Sequence, residues 1–285
     1  MKYLLIIPIF FLTVIKVKSQ EINRFFYEVT YIPKKDSLRK ESALMVLDIK
    51  KDQSEFKDYQ SIIADSIANE SFKKMQKTGT FENPPATKNA SFSYAISKTY
   101  PSMEVQFTEG MMNGLTPIML GYKENIKFDW KIEKEKQKFG EYMAQKATLN
   151  FGGRKWIAWF STDLPFNDGP YKFHGLPGLI IKIEDTEKNY SWILKGNKKA
   201  ADDSSNSLMA KFTSGNVKIV DKQKFIKTFD NYKQNPLLAM RSELTPQILN
   251  MNMPGTDMKI SEFVDKQGKE MQEAYKMINN PVEKQ

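Results

Sequence analysis

The chain has 285 residues, with 43 Lys and Arg against 34 Asp and Glu, a net charge of +9, a single His and no Cys. The absence of Cys excludes disulfides, thiol nucleophiles and zinc fingers, and one His excludes a multi-histidine metal site. Basic and acidic residues alternate along most of the chain, as in Lys131 to Lys138, which is typical of a solvated surface and not of a nucleic-acid-binding stripe. We therefore expect no cofactor, no bound metal and no nucleic-acid partner.

Residues 1–19 have the pattern of a secretory signal peptide. A lysine at the second position is followed by an apolar run from Tyr3 to Ile15, and the small residues Val17 and Ser19 suit cleavage after Ser19. The run is too short to cross a membrane comfortably, because a spanning helix needs about 20 apolar residues. We predict that the chain is exported through this signal, to the periplasm, the outer surface or the medium, and that the mature part does not span a membrane.

Alternation with a period of two dominates the first two-thirds of the chain. Phe25, Tyr27 and Val29, for example, share one face of a predicted strand, with polar residues between them. Aromatic and β-branched residues at alternate positions suit a half-buried pleated sheet, and short connections rich in Gly, Asn, Asp and Pro favour antiparallel neighbours. The predicted strands are Phe25–Tyr31, Ala43–Ile49, Glu55–Tyr59, Phe92–Ser97, Met103–Thr108, Pro117–Tyr122, Lys127–Glu133, Tyr142–Phe151, Lys155–Phe160, Leu179–Ile183 and Tyr190–Gly196.

Helical patterns appear once within this region and again after it. A helix is predicted over Ser61–Lys77. Asp221 can cap a second helix, which ends before Asn235-Pro236. Val264–Ile278 carries apolar residues at helical spacing, whereas the Met-rich stretch Leu237–Pro254 is predicted to be irregular.

These elements predict one domain over residues 20–285, of the α+β class and mainly β. We expect a large, curved antiparallel sheet with helices packed on one side, two of them at the C-terminus. Strands that alternate with long helices would indicate a parallel sheet, and that pattern is missing. A short loop is expected over Asp202–Ser207.

Asp168–Ile180 is the most distinctive segment, with three Gly and two Pro ahead of an apolar strand. Pro177-Gly178 suits the central positions of a type II turn, where Gly takes a positive φ without cost. We predict that the segment is architectural and fixes a turn before the strand. Its candidate motif residues are Gly169, Pro170, His174, Gly175, Leu176, Pro177, Gly178, Leu179 and Ile180.

Residues 175–180 spell the hexapeptide after which the GLPGLI family of exported bacterial proteins is named, and the chain resembles that family. The resemblance extends to several short segments, which are Ala147-Thr148, Gly153-Arg154-Lys155, Ala158-Trp159, Gly169-Pro170 and the ending Asn279-Asn280-Pro281-Val282-Glu283. It implies export in Gram-negative envelopes and a β-rich fold. The family has no known function, so the resemblance implies no activity and supplies no catalytic residues.

The single histidine has two interpretations. His174 lies in the Gly-rich segment near Asp168, where it could serve as a general base. The plainer interpretation is a loop histidine that packs or hydrogen-bonds locally, and the lack of a Gly-x-Ser-x-Gly nucleophile motif favours it. The segment also lacks the Gly-Lys-Ser/Thr of a phosphate-binding loop and leads into a strand instead of a helix.

Carboxylate pairs and tryptophans are the remaining candidates. Glu184-Asp185 and Asp202-Asp203 lack the spaced ligands of a calcium loop, so we interpret them as strand-end and loop acids. The tryptophans suit either a core or a sugar- or lipid-binding platform, and they are Trp130, Trp156, Trp159 and Trp192.

The favoured function is that of an exported, non-catalytic envelope protein that binds a hydrophobic or polymeric ligand. Aromatic residues at strand spacing and the soft, Met-rich stretch Met240–Met258 support binding. The alternative is a structural or interaction component of a surface complex, in contact with another envelope protein. A hydrolase with an unrecognised carboxylate site is less favoured, and we assign no catalytic, cofactor-binding or metal-binding residues.

Overall fold

The structure is a computed structural model that describes residues 21–80, 82, 84–202 and 217–284. The predicted signal peptide, 1–19, and residues 203–207 of the predicted loop lie outside the described residues. In the described ranges, no helix combines the length and the apolar character needed to cross a membrane.

Twelve strands of the described chain form one sheet. In chain order they are β1 (Glu21–Tyr31), β2 (Glu41–Ile49), β3 (Gln53–Asp58), β4 (Tyr94–Thr99), β5 (Glu104–Asn113), β6 (Thr116–Glu124), β7 (Lys131–Phe139), β8 (Tyr142–Phe151), β9 (Arg154–Ser161), β10 (Leu179–Asp185), β11 (Tyr190–Ala201) and β12 (Val217–Ile219). Across the sheet the order is β12-β6-β5-β4-β3-β2-β1-β11-β10-β9-β8-β7. Among these neighbours only the β12–β6 pair is parallel, so the sheet is mixed. The predicted α+β, mainly β class is confirmed.

The sheet consists of two meanders that meet at β1 and β11. Strands β1 to β6 pair in sequence, as do β7 to β11. Residues 125–130 connect β6, next to one edge, directly to β7 at the other edge. Seven residue steps reach at most about 25 Å, whereas ten strand spacings would measure about 48 Å across a flat sheet. The sheet therefore curls until its two sides approach each other.

The core lies on the concave side of this curl. The ring of Tyr171, in the loop between β9 and β10, lies 5.8 Å from the ring of Tyr94 in β4 and 6.1 Å from that of Trp192 in β11. A single loop thus contacts strands from both meanders. Trp156 and Trp192 are fully buried in this core.

Five helices occur in the described ranges: α1 (Tyr59–Thr78), α2 (Lys222–Gln234), α3 (Leu238–Glu243), α4 (Pro246–Leu249) and α5 (Ile260–Met277). The predicted cap of α2 is present, because Asp221 Oδ1 accepts a hydrogen bond of 2.8 Å from the Lys224 N–H. The buried ring of Phe225 packs on Phe107 and Tyr122, which places α2 against the inner face of β5 and β6. α1 begins two residues before its predicted start, because the buried Asp58 caps it.

Several predicted strands end at other residues than expected, such as β5, which extends to Asn113, and β11, which extends to Ala201. Two predictions are wrong in position or in kind. The strand predicted over Lys127–Glu133 runs instead from Lys131 to Phe139, because Phe128 and Trp130 alternate to pack against a loop and not within a pleat. The stretch Leu237–Pro254, predicted to be irregular, contains α3 and α4. α4 starts at a hydroxyl cap followed by Pro, Thr245-Pro246, which is an ordinary helix start that its Met-rich surroundings obscured.

The C-terminal segment 279–284 closes the fold at the β8–β9 hairpin. Arg154 Nη2 donates to Asn280 Oδ1 at 2.6 Å, and its Nε donates to the carbonyl of Val282 at 3.0 Å. The same guanidinium pairs with the buried Asp185, at 3.0 Å. One buried arginine therefore fixes both the end of the chain and the end of β10.

Candidate functional site

The motif loop, residues 162–178, connects β9 to β10 and turns inward. From 168 to 178 every residue is buried except Gly175 and Pro177. The backbone of a surface loop usually forms hydrogen bonds with water. The backbone of the motif loop instead forms hydrogen bonds within the protein. The Ile180 N–H donates to the Asp168 carbonyl at 3.0 Å, and the Gly175 N–H donates to the Asn167 carbonyl at 3.0 Å. The loop is part of the core.

The turn at the end of the motif loop is tighter than the predicted type II turn. The Gly178 N–H donates to the Leu176 carbonyl at 2.8 Å, which closes a three-residue turn around Pro177. Gly178 has a φ of 154°, and a Cβ at this position would lie 2.2 Å from the Ser161 carbonyl oxygen. The close passage of β9 therefore requires glycine here, for a steric reason that the turn type does not include.

A buried ion pair anchors the start of the motif loop. Lys98 in β4 and Asp168 are 0% and 1% exposed, and Lys98 Nζ lies 2.5 Å from Asp168 Oδ1. Lys98 Nζ also donates to the carbonyls of Gly169, at 2.7 Å, and Tyr171, at 3.1 Å. The phenol of Tyr100 donates to Asp168 Oδ2. Burial lowers the pKa of the Lys98 ammonium, and the charge of Asp168 opposes this change.

A second buried lysine anchors the middle of the loop. Lys172 Nζ donates to the Tyr122 hydroxyl at 2.7 Å, to Glu124 Oε1 at 2.5 Å and to the Glu283 carboxylate. Burial alone would raise the pKa of the Glu283 carboxyl, but the charges of Lys172 and Lys222 hold that pKa below its ordinary value. The buried Lys172 and the partly buried Glu283 are thus paired with each other.

Near the end of the motif loop, the His174 side chain differs from Asp168 and Lys172 in its hydrogen bonding. His174 is 6% exposed, and its Nε2 is buried without a hydrogen-bond partner in the described chain. The His174 carbonyl does accept a bond of 2.8 Å from Trp130 Nε1, and the Phe128 ring lies 4.9 Å from the imidazole. Buried polar atoms are nearly always paired. Three other side-chain atoms of the described chain are also buried without a partner, Ser54 Oγ, the Tyr94 hydroxyl oxygen and Trp192 Nε1, so the unpaired Nε2 does not by itself define a site.

An open pocket of about 360 Å³ lies against His174. It forms where the β4–β5 turn, the 125–130 connection and the motif loop meet, and we call it the His174 pocket. Its lining residues are Ser102, Met103, Asn125, Ile126, Lys127, Phe128, His174 and Gly175. Its volume falls within the range of small-ligand sites, about 300–1,000 Å³.

The imidazole in this pocket is neutral at physiological pH. Burial, followed by the positive charge of Lys98, lowers the pKa of His174 to about 4, although Asp168 opposes the shift. A group with so low a pKa is a weak base near pH 7. The arrangement is therefore suited to a hydrogen bond with a ligand and not to proton abstraction, because the Asp168 carboxylate is already bonded to Lys98 and Tyr100.

The other candidates from the sequence lie apart from this pocket. Asp185 binds Arg154, and Asp202 pairs with Lys50 at 2.8 Å, while Asp203 is outside the described residues. The tryptophans do not form a shared exposed platform, since Trp156, Trp159 and Trp192 are buried and only Trp130 is partly exposed. Across the described ranges no cluster of three or more His, Cys, Asp or Glu side chains could hold a metal.

Two of the eight pocket residues, His174 and Gly175, belong to the motif that the sequence indicates. The sequence pattern did not point to the β4–β5 turn, and it placed Lys127 and Phe128 in a predicted strand. The sequence signal for the pocket was the short connection between β6 and β7. This signal becomes informative only when the strand order is known, because the order shows that the connection joins strands near opposite edges of the sheet.

Three comparisons with known proteins bear on this chain. Residues 153–182 match the model of a family described as "Protein of unknown function (Porph_ging)". This match contains the whole motif loop, including the start of the hexapeptide, and the hexapeptide's last two residues in β10. A search of curated proteins gave no match.

Among solved structures, the chain is similar to PNGF-II in two crystal forms, "Structure of PNGF-II in P21 space group" and "Structure of PNGF-II in C2 space group". In both, the identity is 15%, the TM-score is 0.50 and the match covers 75% of this chain. The chain spans about a third of the length of those structures, 34% and 33%. At this identity the likeness concerns the fold alone.

Proposed function

We propose that the protein is an exported, GLPGLI-type, non-catalytic binding protein of the cell envelope, and that the His174 pocket holds its ligand. The match of residues 153–182 to a family of unknown function is compatible with this proposal. Export rests on the signal pattern in residues 1–19, and the single mature domain is proposed to be 20–285.

One observation carries the proposal. In the motif loop the charged side chains of Asp168 and Lys172 are paired, whereas His174 lines an open pocket and its buried Nε2 has no hydrogen-bond partner in the described chain. A buried polar atom without a partner costs about 1–3 kcal/mol. The pocket of about 360 Å³ beside this imidazole leaves room for a ligand.

Native mass spectrometry of the protein, purified from its own cell envelope, tests the proposal. We expect a retained ligand as added mass. Ile126→Trp places a large ring in the pocket from a partly exposed position, so the added mass should disappear. Leu38→Trp is the matched control, since Leu38 is 97% exposed and outside the lining. An unloaded wild-type protein, or equal loading in Ile126→Trp, contradicts the proposal.

A second candidate function is supported by a different surface. Several exposed apolar side chains lie on or near the C-terminal helices, and they are Leu238, Ile248, Met251 and Phe263. Grouped exposed apolar residues are typical of protein interfaces. If the chain is an interaction component, Leu238→Lys with Met251→Lys should abolish its association in sedimentation experiments and leave loading of the His174 pocket unchanged.

A further inference from the structure

We propose that the mature chain forms a two-fold symmetric dimer through its C-terminal helices, in which Leu238 of each copy enters a groove beside Leu238 of the other copy. This inference rests on the second candidate function, whose partner it specifies as a second copy of this chain. It does not depend on the His174 pocket. Three observations carry it: the groove, a glycine in the groove wall and the mixed charges on the groove rim.

A groove on the surface of the C-terminal helices lies between the α2–α3 connection and α5, and we call it the α5 groove. Its volume is about 220 Å³. Leu237 and Leu238 line it from the connection and α3, and Val264 and Gly268 line it from α5. Leu238 is 62% exposed, so a largely uncovered apolar side chain stands at the rim. A cavity of about 150 Å³ accommodates benzene, so the α5 groove has room for the smaller leucine side chain.

The packing of this chain does not explain the glycine in the groove wall. Gly268 lies in the middle of α5 and does not have a positive φ. A Cβ at this position would lie 3.8 Å from Leu237 Cβ, which is an ordinary van der Waals contact. Glycine destabilises a helix interior relative to alanine, so the isolated chain would gain from a side chain here. The missing side chain widens the groove, which is useful only when another molecule occupies it.

The groove and the exposed leucine lie on the same patch, which is the condition for a two-fold interface. In such an interface both copies use one self-complementary patch, and every contact is made twice. Rotation by 180° about an axis beside Leu238 places the leucine of each copy in the groove of the other. A partner of unrelated sequence would have to supply its own protruding apolar residue, whereas a second copy supplies Leu238.

The charges on the rim also suit a second copy. Arg241 and Asp265 both line the groove and pair with each other at 3.0 Å, with side chains 39% and 50% exposed. The remaining charged residue of the lining, Lys269, is exposed. Exposed ion pairs contribute little to stability, so the exchange of this pair for Arg241–Asp265 pairs between two copies costs little. A partner surface of one sign would place like charges together, whereas a second copy offers both signs.

Apolar side chains near the groove supply further contact area. Met251 is 58% exposed, Ile248 39% and Phe263 37%. They belong to one helical layer, because α3 and α4 both pack against α5. A stable interface buries about 800 Å² on each partner, which is more than one leucine provides. These side chains are therefore expected to take part in the contact, and their burial would drive it.

Sedimentation velocity of the purified mature chain, over a range of concentrations, tests the inference. We expect a reversible monomer–dimer equilibrium. Leu238→Lys should weaken the dimer by at least about tenfold, which corresponds to about 1.4 kcal/mol, because a charge would enter an apolar contact. Leu38→Lys is the matched control, since Leu38 is 97% exposed and outside the groove lining. Gly268→Ala should raise the thermal stability of the monomer and still weaken the dimer, a combination that a purely structural role would not produce.

A charge exchange between two variants tests the symmetry of the contact. Arg241→Glu alone and Asp265→Lys alone should each dissociate the dimer, because like charges then meet across the two-fold axis. When the two variants are mixed, Glu from one copy faces Lys from the other, and the native Arg241 and Asp265 of the two copies also face each other. The mixture should therefore dimerise again. If each variant dimerises alone as well as the mixture does, the proposed contact is wrong.

The outcomes also distinguish this inference from the other proposals. A chain that is monomeric at every concentration overturns the dimer and leaves ligand binding in the His174 pocket intact, because that binding is measured as retained mass. A dimer that Leu238→Lys does not weaken uses another surface and overturns the inference. If the isolated chain is monomeric but binds a different envelope protein through Leu238 and Met251, the second candidate function holds and the dimer is wrong.

Discussion

Residues 168–173 and residues 174–175 are neighbours in the motif loop. They differ in whether their buried polar side-chain atoms have hydrogen-bond partners. In the first part, Asp168 and Lys172 each bind several partners from other elements of the fold. In the second part, the His174 imidazole keeps a buried nitrogen unpaired beside a pocket. A loop can thus be architectural over most of its length and still leave one buried polar atom unpaired beside a pocket.

The largest effect is expected at the end of the architectural part. Gly178→Val should destabilise the protein by more than about 4 kcal/mol, because backbone strain and overpacking each cost about 1–3 kcal/mol and a Cβ would lie 2.2 Å from the Ser161 carbonyl oxygen. Urea denaturation measures it. Gly196→Ala is the control, since a Cβ there has no neighbour within 4 Å. Similar stability for both variants would contradict the proposed steric requirement.

The next effect concerns the buried ion pair. Lys98→Met should cost about 4 kcal/mol, because it leaves the Asp168 carboxylate buried without its cation. The double variant Lys98→Met with Asp168→Leu should recover most of this loss, since both charges are then removed. If the double variant is as unstable as the single one in urea denaturation, the cost comes from packing and not from charge.

A pH effect should distinguish His174 from the paired groups. Its pKa is lowered from 6.5 to about 4 in the folded chain, so the unfolded chain binds the proton more tightly. The stabilisation by neutral His174 is therefore complete above about pH 6.5 and decreases as the pH falls toward 4, by about 3 kcal/mol in total. The difference in unfolding free energy between the wild type and His174→Gln, measured from pH 7 to 4, reports this change. A constant difference would contradict the burial of a neutral imidazole.

The smallest effect is expected for the same residue at neutral pH. His174→Gln should change the free energy of unfolding by less than about 1 kcal/mol at pH 7, because Nε2 has no partner to lose. Thermal denaturation at pH 7 tests this expectation. A loss as large as that of Lys98→Met would show that His174 belongs to the architectural part of the loop.

The periodicity of the sequence predicted most strands, because an inner and an outer face impose alternation wherever a strand is half buried, as in Phe25, Tyr27 and Val29. The Asp221 cap and the Asn235-Pro236 end predicted the α2 helix. The periodicity could not predict the strand order, because the pairing of β1 with β11 depends on contacts about 170 residues apart. Without that order, the 125–130 connection was predicted as the start of a strand, and its contribution to the pocket lining could not be predicted.

The C-terminal segment has a consequence for the time at which the chain can fold. Glu283 bonds Lys172 and Tyr171, and Asn280 and Val282 bond Arg154, so the last residues complete a network in the middle of the molecule. β1 can likewise complete its pairing only after β11 has been synthesised. Pairings of such sequence separation form slowly, and a ribosome-bound fragment that ends before residue 280 would lack its closing contacts. The network around Arg154 and Lys172 therefore forms only after residues 280–283 have been synthesised.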